Sequence, residues 1–114
     1  MRIVFSGSIA FDYLMTFPGY FKDHILPDEL DSLSLSFLTD SMTRQRGGTA
    51  ANGAYNYALL MGKATVLGTA GHDFDKYRAH LASVGVDTSE IVEIADEFTA
   101  SFFANTDLSN AQIA

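Results

Sequence analysis

The chain has 114 residues, 47% of them apolar, and a formal net charge of −7. That size and apolar share allow one globular domain with a real core, and the acidic balance argues against a nucleic-acid partner. With no Cys there is neither a disulfide nor a Cys-based zinc site, and His24, His72 and His80 lack close ligand spacing, so no metal site is expected.

No apolar run approaches the roughly 20 residues of a membrane helix, so no membrane partner is expected. The start, MRIVFSGSIAFDYLM, is broken by Asp12 and reads as a strand rather than a signal peptide. A cytoplasmic location is the simplest expectation. Arg2 to Ser8 predicts a strand built on Ile3, Val4 and Phe5 and closed by Gly7. Its near-continuous apolar run suits a sheet covered on both faces. Asp12 then stands at the end of an apolar run. In open α/β sheets ligands gather outside the carboxyl ends of strands. A carboxylate there can accept two charge-assisted hydrogen bonds from a vicinal diol, or it can simply stabilise a turn.

Tyr13 to Phe17 alternates loosely and stops at Pro18-Gly19. The segment 20–33 is polar, and its Asp23, Asp28, Glu29 and Asp31 form a solvated face. Leu33, Leu35 and Phe37 alternate with Ser34, Ser36 and Leu38, which predicts a half-buried strand. Ser36 there either meets a ligand or belongs to the polar face. Asp40 to Arg46 leads back to the main body. Arg44 and Arg46 either pair with nearby acids or lie near a phosphate path.

The stretch RGGTAANGAYNYALLMGKATVLGTAG, from Arg46 to Gly71, is the organising one. Gly47 and Gly48 carry no Cβ, so a bulky group can approach their backbone. Thr49 is a candidate helix cap. Ala50 to Met61 is rich in strong helix formers and stops at Gly62. Asn52 falls about one turn in, where its amide can donate and accept. A helix N-terminus with free N–H groups beside such an amide suits a ligand with several hydroxyls. A tight strand-to-helix turn with a structural Asn is the alternative. A P-loop is excluded, because Ala54-Tyr55 follow Gly53 where Lys-Ser/Thr would be required. The G-x-G-x-x-G dinucleotide fingerprint is absent.

Ala64 to Gly68 predicts a second core strand. Phe74, Tyr77, Leu81 and Val84 recur at helical spacing, with Asp73 as candidate cap and Gly85 as stop. Val86 to Ile94 predicts a third strand, so strands and helices alternate as in an α/β fold. Phe98 to Asp107, FTASFFANTD, predicts another strand. Phe102 and Phe103 face opposite ways in it. Packing is one use for either ring, and stacking on a flat ligand is the other.

Gly47, Gly48, Ala50, Asn52, Ala54 and Gly71 fall in register with the first signature of the ribokinase-like (PfkB) family of carbohydrate and nucleoside kinases. The chain resembles that family over nearly its whole length, and within it looks most like bacterial adenosine kinases. Met61 departs from the pattern, standing where the family usually has Gly or Ser, with Gly62 just after it. The resemblance implies the N-terminal part of a ribokinase-like doubly wound α/β domain with a small inserted β-sheet lid. The core would run over about 1–12 and 41–97, the lid over about 13–40 and 98–107. The implied function is ATP-dependent phosphorylation of the 5′-hydroxyl of adenosine or a similar ribonucleoside. A ribokinase- or fructokinase-like sugar kinase and a non-catalytic ligand-binding module are the alternatives. By the resemblance Asp12, Gly48 and Asn52 hold ribose hydroxyls, Ser8 and Ser36 line the lid side, and Phe102 flanks the base. ATP and Mg²⁺ are implied as donor and ion. A homodimer formed lid to lid is also implied, with Leu35 and Phe37 on the outward face. The family's second signature, Asp-Thr-x-Gly-Ala-Gly-Asp, supplies the catalytic base and is absent here. The chain is therefore expected to be a fragment that lacks the C-terminal catalytic part, with no catalytic residue of its own, and to be inactive and poorly stable alone.

Overall fold

The computed structural model describes residues 2–114. It divides into two compact units, one holding the residues up to Phe11 and Arg46–Ser101, the other Asp12–Gln45 and Phe102–Ala114.

The first unit is α/β with a parallel sheet, the class expected from the sequence. Strand β1 (Val4–Ser6) pairs in parallel with β4 (Ala64–Gly71), Val4 opposite Thr65. The other edge of β4 takes β5 (Val86–Asp87) and then β6 (Ile91–Ile94), both parallel. Helix α1 (Thr49–Met61) buries Ala50, Ala51, Ala54 and Ala58. These small side chains let the helix lie close to the sheet, where Tyr57 meets the Phe5 ring at 5.8 Å. Helix α2 (Asp75–Ser83) buries Tyr77 and Leu81. Phe74, Val66 and Leu81 are fully buried and form the centre of the core. Gly62 ends α1 in left-handed backbone, its N–H donating to Ala58 at 2.9 Å.

Three local expectations change here. The strand expected over 86–94 is two strands, because Asp87 accepts the Ser89 N–H at 2.9 Å and Ile91 N–H turns back to Thr88 at 3.1 Å. Such local bonds compete with the ladder. Thr49 does not cap α1; Gly48 is its N-cap. Asp73 does not cap α2, whose N-cap is Phe74. Its carboxylate accepts the Thr99 N–H at 2.8 Å instead.

The second sheet has strand order β3-β2-β7-β8, from β2 (Ala10–Thr16), β3 (Ser41–Gly47), β7 (Ala100–Thr106) and β8 (Gln112–Ile113). The strand expected over Leu33–Leu38 is absent, and 33–39 carry no regular structure. β2 pairs with β3 and β7, and Phe37 of the alternating segment packs on the Phe17 and Phe21 rings instead of entering a ladder. In its place stands Ser41–Gly47, a polar edge strand whose exposure explains its missing apolar signal.

Aromatic rings and one carboxylate hold the second unit. Phe17 and Phe21 stack at 5.5 Å, and Phe37 closes on them at 5.0 and 4.9 Å. Phe37 is thus an inward residue, not the outward one expected. Asp107, 6% exposed, accepts the Phe21 N–H at 2.9 Å with Oδ2. Its Oδ1 accepts the N–H groups of Ser109 and Ala111 and the Ser109 hydroxyl. Burial pushes its carboxyl up, but these hydrogen bonds outweigh burial and hold it below the ordinary value of 3.8.

A group with a lowered folded pKa adds stability above its unfolded value and loses it as pH falls through the folded one. Asp107→Asn should therefore lower the urea midpoint at neutral pH, and should flatten the loss of stability below pH 3.8. Parallel urea titrations from neutral pH to about pH 2 check both effects. Identical pH dependence in parent and variant would contradict the assigned role.

Candidate functional site

The carboxyl ends of β1 and β4 and the N-terminus of α1 meet in the first unit. Ser8, just after β1, has its hydroxyl accept the Thr49 N–H at 2.9 Å and its carbonyl accept the Ala50 N–H at 3.1 Å. The first free N–H groups of α1 are thus satisfied from a residue 41 positions away. The hydroxyls of Ser8 and Thr49 lie 3.1 Å apart. One proton of that pair remains free to give to a ligand.

Gly48 makes this junction possible. Its φ is +98°, and a Cβ there would run into the Ser8 carbonyl oxygen and stand 2.6 Å from Ile9 Cα. The Tyr77 hydroxyl donates to the Gly47 carbonyl at 2.7 Å and holds the turn from below. One turn in, the Asn52 N–H returns to the Gly48 carbonyl at 2.9 Å. Asn52 is exposed at the open end of the helix, and its own carbonyl accepts from Asn56. Ser8, Gly48 and Asn52 are therefore brought together.

A cavity of about 400 Å³ opens beside them, lined among others by Gly7, Ser8, Thr69, Phe98 and Thr99. Its far wall is the segment Glu97–Thr99. Asp73, which holds that segment, is pushed up by burial, yet hydrogen bonds from Thr99 and the nearby His72 outweigh this and keep its carboxyl below the ordinary range. A larger hollow of about 710 Å³ lies at the opposite, amino ends of the strands, among Arg2, Lys63 and Asp87. None of the residues expected to hold a ligand lines it.

The other predicted residues lie in the second unit. Tyr13 and Phe103 stack at 4.5 Å with rings 9° apart, so they share one face of the sheet. Alternation along β2 and β7 places Asp12 and Phe102 on the opposite face. Asp12 is half-buried, and Phe102 is 45% exposed, with a ring free to meet a flat partner. Ser36 is exposed on the unpaired segment 33–39 and joins no strand. Thr49, Asp73 and Thr99 were not singled out for the site. The Thr next to Gly-Gly was the one available signal; nothing local marks the other two.

Among the described residues there is no group of three or more His, Cys, Asp or Glu that could hold a metal ion. No helix there is long and apolar enough to cross a membrane.

The family model described as pfkB family carbohydrate kinase matches residues 11–113. A nucleoside kinase of Methanothermobacter thermautotrophicus is 32% identical over 110 residues, which are 95% of this chain and 32% of that protein. The nucleoside kinase of Burkholderia thailandensis in complex with inosine superposes with a TM-score of 0.78 and 37% identity, over 99% of this chain and 35% of that one. A ribokinase of Cryptococcus neoformans var. grubii serotype A in complex with ADP gives a TM-score of 0.78 at 22% identity, over 98% of this chain and 32% of that one, a likeness of fold alone. The chain spans about a third of the length of these relatives.

Gly48→Ala tests the junction. The left-handed backbone alone costs a side chain about 1–3 kcal/mol, and the collision with Ser8 adds to it. The variant should unfold at a clearly lower urea concentration, with α1 losing helicity by circular dichroism. An unchanged midpoint would refute the close approach.

Proposed function

This chain belongs to the pfkB family of carbohydrate kinases, and we propose that it forms the nucleoside-holding N-terminal part of an ATP-dependent kinase acting on the 5′-hydroxyl of adenosine or a related purine ribonucleoside. The observation that carries the reading is Asp12 and Phe102 on one face of one sheet. A carboxylate suits the paired hydroxyls of a ribose, and an exposed ring suits a base. Identity favours the same substrate class: the relatives at 37% and 32% are nucleoside kinases, while the ribokinase stands at 22%. Inosine in the Burkholderia structure favours a site that takes more than one purine base.

In this reading Asp12 accepts hydrogen bonds from the ribose hydroxyls, Gly48 offers close backbone, and Asn52 adds its amide. Ser8 and Ser36 add hydroxyls on the lid side. Binding of this kind positions the 5′-oxygen for in-line attack, which is where phosphoryl-transfer catalysis mostly lies. The ribokinase structure holds ADP, in keeping with ATP as donor. Among the described residues no group of three or more His, Cys, Asp or Glu could hold Mg²⁺. The 114 residues alone should show no phosphoryl transfer.

A chimera joining these residues to the remainder of the Burkholderia kinase tests the reading. It should phosphorylate adenosine and inosine in preference to ribose. Within it, Asp12→Asn should cost about 1.5–3 kcal/mol of nucleoside affinity, the worth of hydrogen bonds to a charged group. Phe102→Ala should weaken nucleoside binding by about 1–3 kcal/mol and ribose binding far less. Calorimetry on both ligands decides; equal losses would make Phe102 structural, and a preference for ribose would make the protein a sugar kinase.

We further propose a homodimer through the second unit. Its Tyr13–Phe103 face carries Met42, 61% exposed, and Ile113, 41% exposed, both apolar and open. Leu35 is exposed nearby in sequence, whereas Phe37 is packed inside and unsuitable for a test. Met42→Asp and Leu35→Asp in the chimera should each shift light scattering from dimer to monomer. A parent that is monomeric at high concentration would end this proposal.

A further inference from the structure

We infer that Asp73 and Thr99 are positioning residues of the carboxyl-end cavity, a latch that sets its far wall and thereby its affinity for a hydroxylated ligand. That ligand role rests on the kinase reading above; the latch itself does not.

β6 pairs with β4 only as far as Ile94, and beyond it the Phe98 ring meets His72 at 4.6 Å. From Val92 to Phe98 every residue is exposed, Phe98 by 73%, so apolar burial does not anchor the segment. Hydrogen bonds do. The last residue of β4 and the two after it bind 97–99 almost one for one. Gly71 N–H donates to Thr99 Oγ1 at 2.9 Å, His72 N–H to the Glu97 carbonyl at 2.9 Å, and Thr99 N–H to Asp73 Oδ1 at 2.8 Å. Thr99 is 2% exposed, so its hydroxyl and amide have no water to fall back on. Gly71 admits no Cβ, which would run into the Glu97 carbonyl and the Thr99 nitrogen. The two strips of backbone are therefore pressed together as well as bonded.

The latch sits where it can matter. Glu97, Phe98 and Thr99 line the cavity opposite Gly7, Ser8 and Ile9. Ser8 is fixed by α1, as described above. If 97–99 move away from β4, the cavity widens on one side only. A ligand then keeps its Ser8 side and loses its fit on the other. That is a loss of binding, not of the phosphoryl-transfer step.

Thr99→Val keeps the shape and removes the hydroxyl; Thr99→Ser restores it; Asp73→Asn keeps an acceptor and removes the charge. Amide exchange of Gly71, measured in the chain and in the chimera, should quicken about tenfold or more in Thr99→Val, with global stability still sufficient for folding. In Thr99→Ser it should stay near the parent. In the chimera, Thr99→Val should raise the KM for nucleoside about five- to tenfold, with kcat and the KM for ATP unchanged. Asp73→Asn should fall between, and Thr99→Ser should match the parent. Unchanged Gly71 exchange overturns the latch. A fall in kcat with both KM values unchanged also overturns the positioning role, since that is what fewer folded molecules produce. Parent-like Asp73→Asn would remove Asp73 from it. A chimera that accepts ribose but no nucleoside defeats the substrate reading alone, and the same KM comparison is then read on ribose. If Thr99→Val does not fold, Asp73→Asn against Thr99→Ser decides. A chimera with no turnover on any substrate defeats the function reading, and the Gly71 exchange rates then decide the latch.

Discussion

Everything in the first unit depends on one junction, the seating of α1 on the end of β1. The Ser8 hydroxyl and carbonyl take the first two N–H groups of the helix. The junction needs a residue at 48 with no side chain and positive φ, and only glycine meets both demands without strain. Once seated, α1 presents its alanines to the sheet and Asn52 to the open end. The atoms proposed for the ligand are thus also those that seat the helix.

The second unit solves a different problem. Its sheet has three seven-residue strands and one short one, with a polar, exposed β3 edge. Stability comes from rings at one end, Phe17, Phe21 and Phe37, and from Asp107 tying the Phe21 backbone to the β7–β8 turn. Both devices sit beside β2 and β7, the strands that carry Asp12 and Phe102. Those strands keep a fixed alternation, and the carboxylate and the ring keep a common face.

Asp73 and Asp107 are two carboxylates whose hydrogen bonds outweigh burial and lower their pKa. Neither touches the residues singled out for a ligand. Each holds a turn that apolar burial leaves loose. Asp12, the carboxylate proposed for the ligand, belongs to neither set of bonds, as suits a group whose hydrogen bonds are kept for a substrate.

Much of this was legible in the residues themselves. Helix α1 and its Gly62 stop, strands β1 and β4, the helix near 75–83 and the α/β class follow from local propensity and apolar periodicity. The Gly-Gly turn and Asn52 stand in one continuous stretch, so their grouping needed no tertiary information. Tertiary structure decided the rest. Ser41–Gly47 became a strand and Leu33–Leu38 did not: β2 takes the polar segment as its partner, and alternation alone does not choose which segment pairs. Phe37 turned inward because Phe17 and Phe21 were there to receive it. Asp73 found Thr99 at a separation of 26 residues, and Asp107 found Phe21 at 86. A hydrogen bond between distant polar groups leaves no periodic trace along a chain, so only the folded backbone could reveal it.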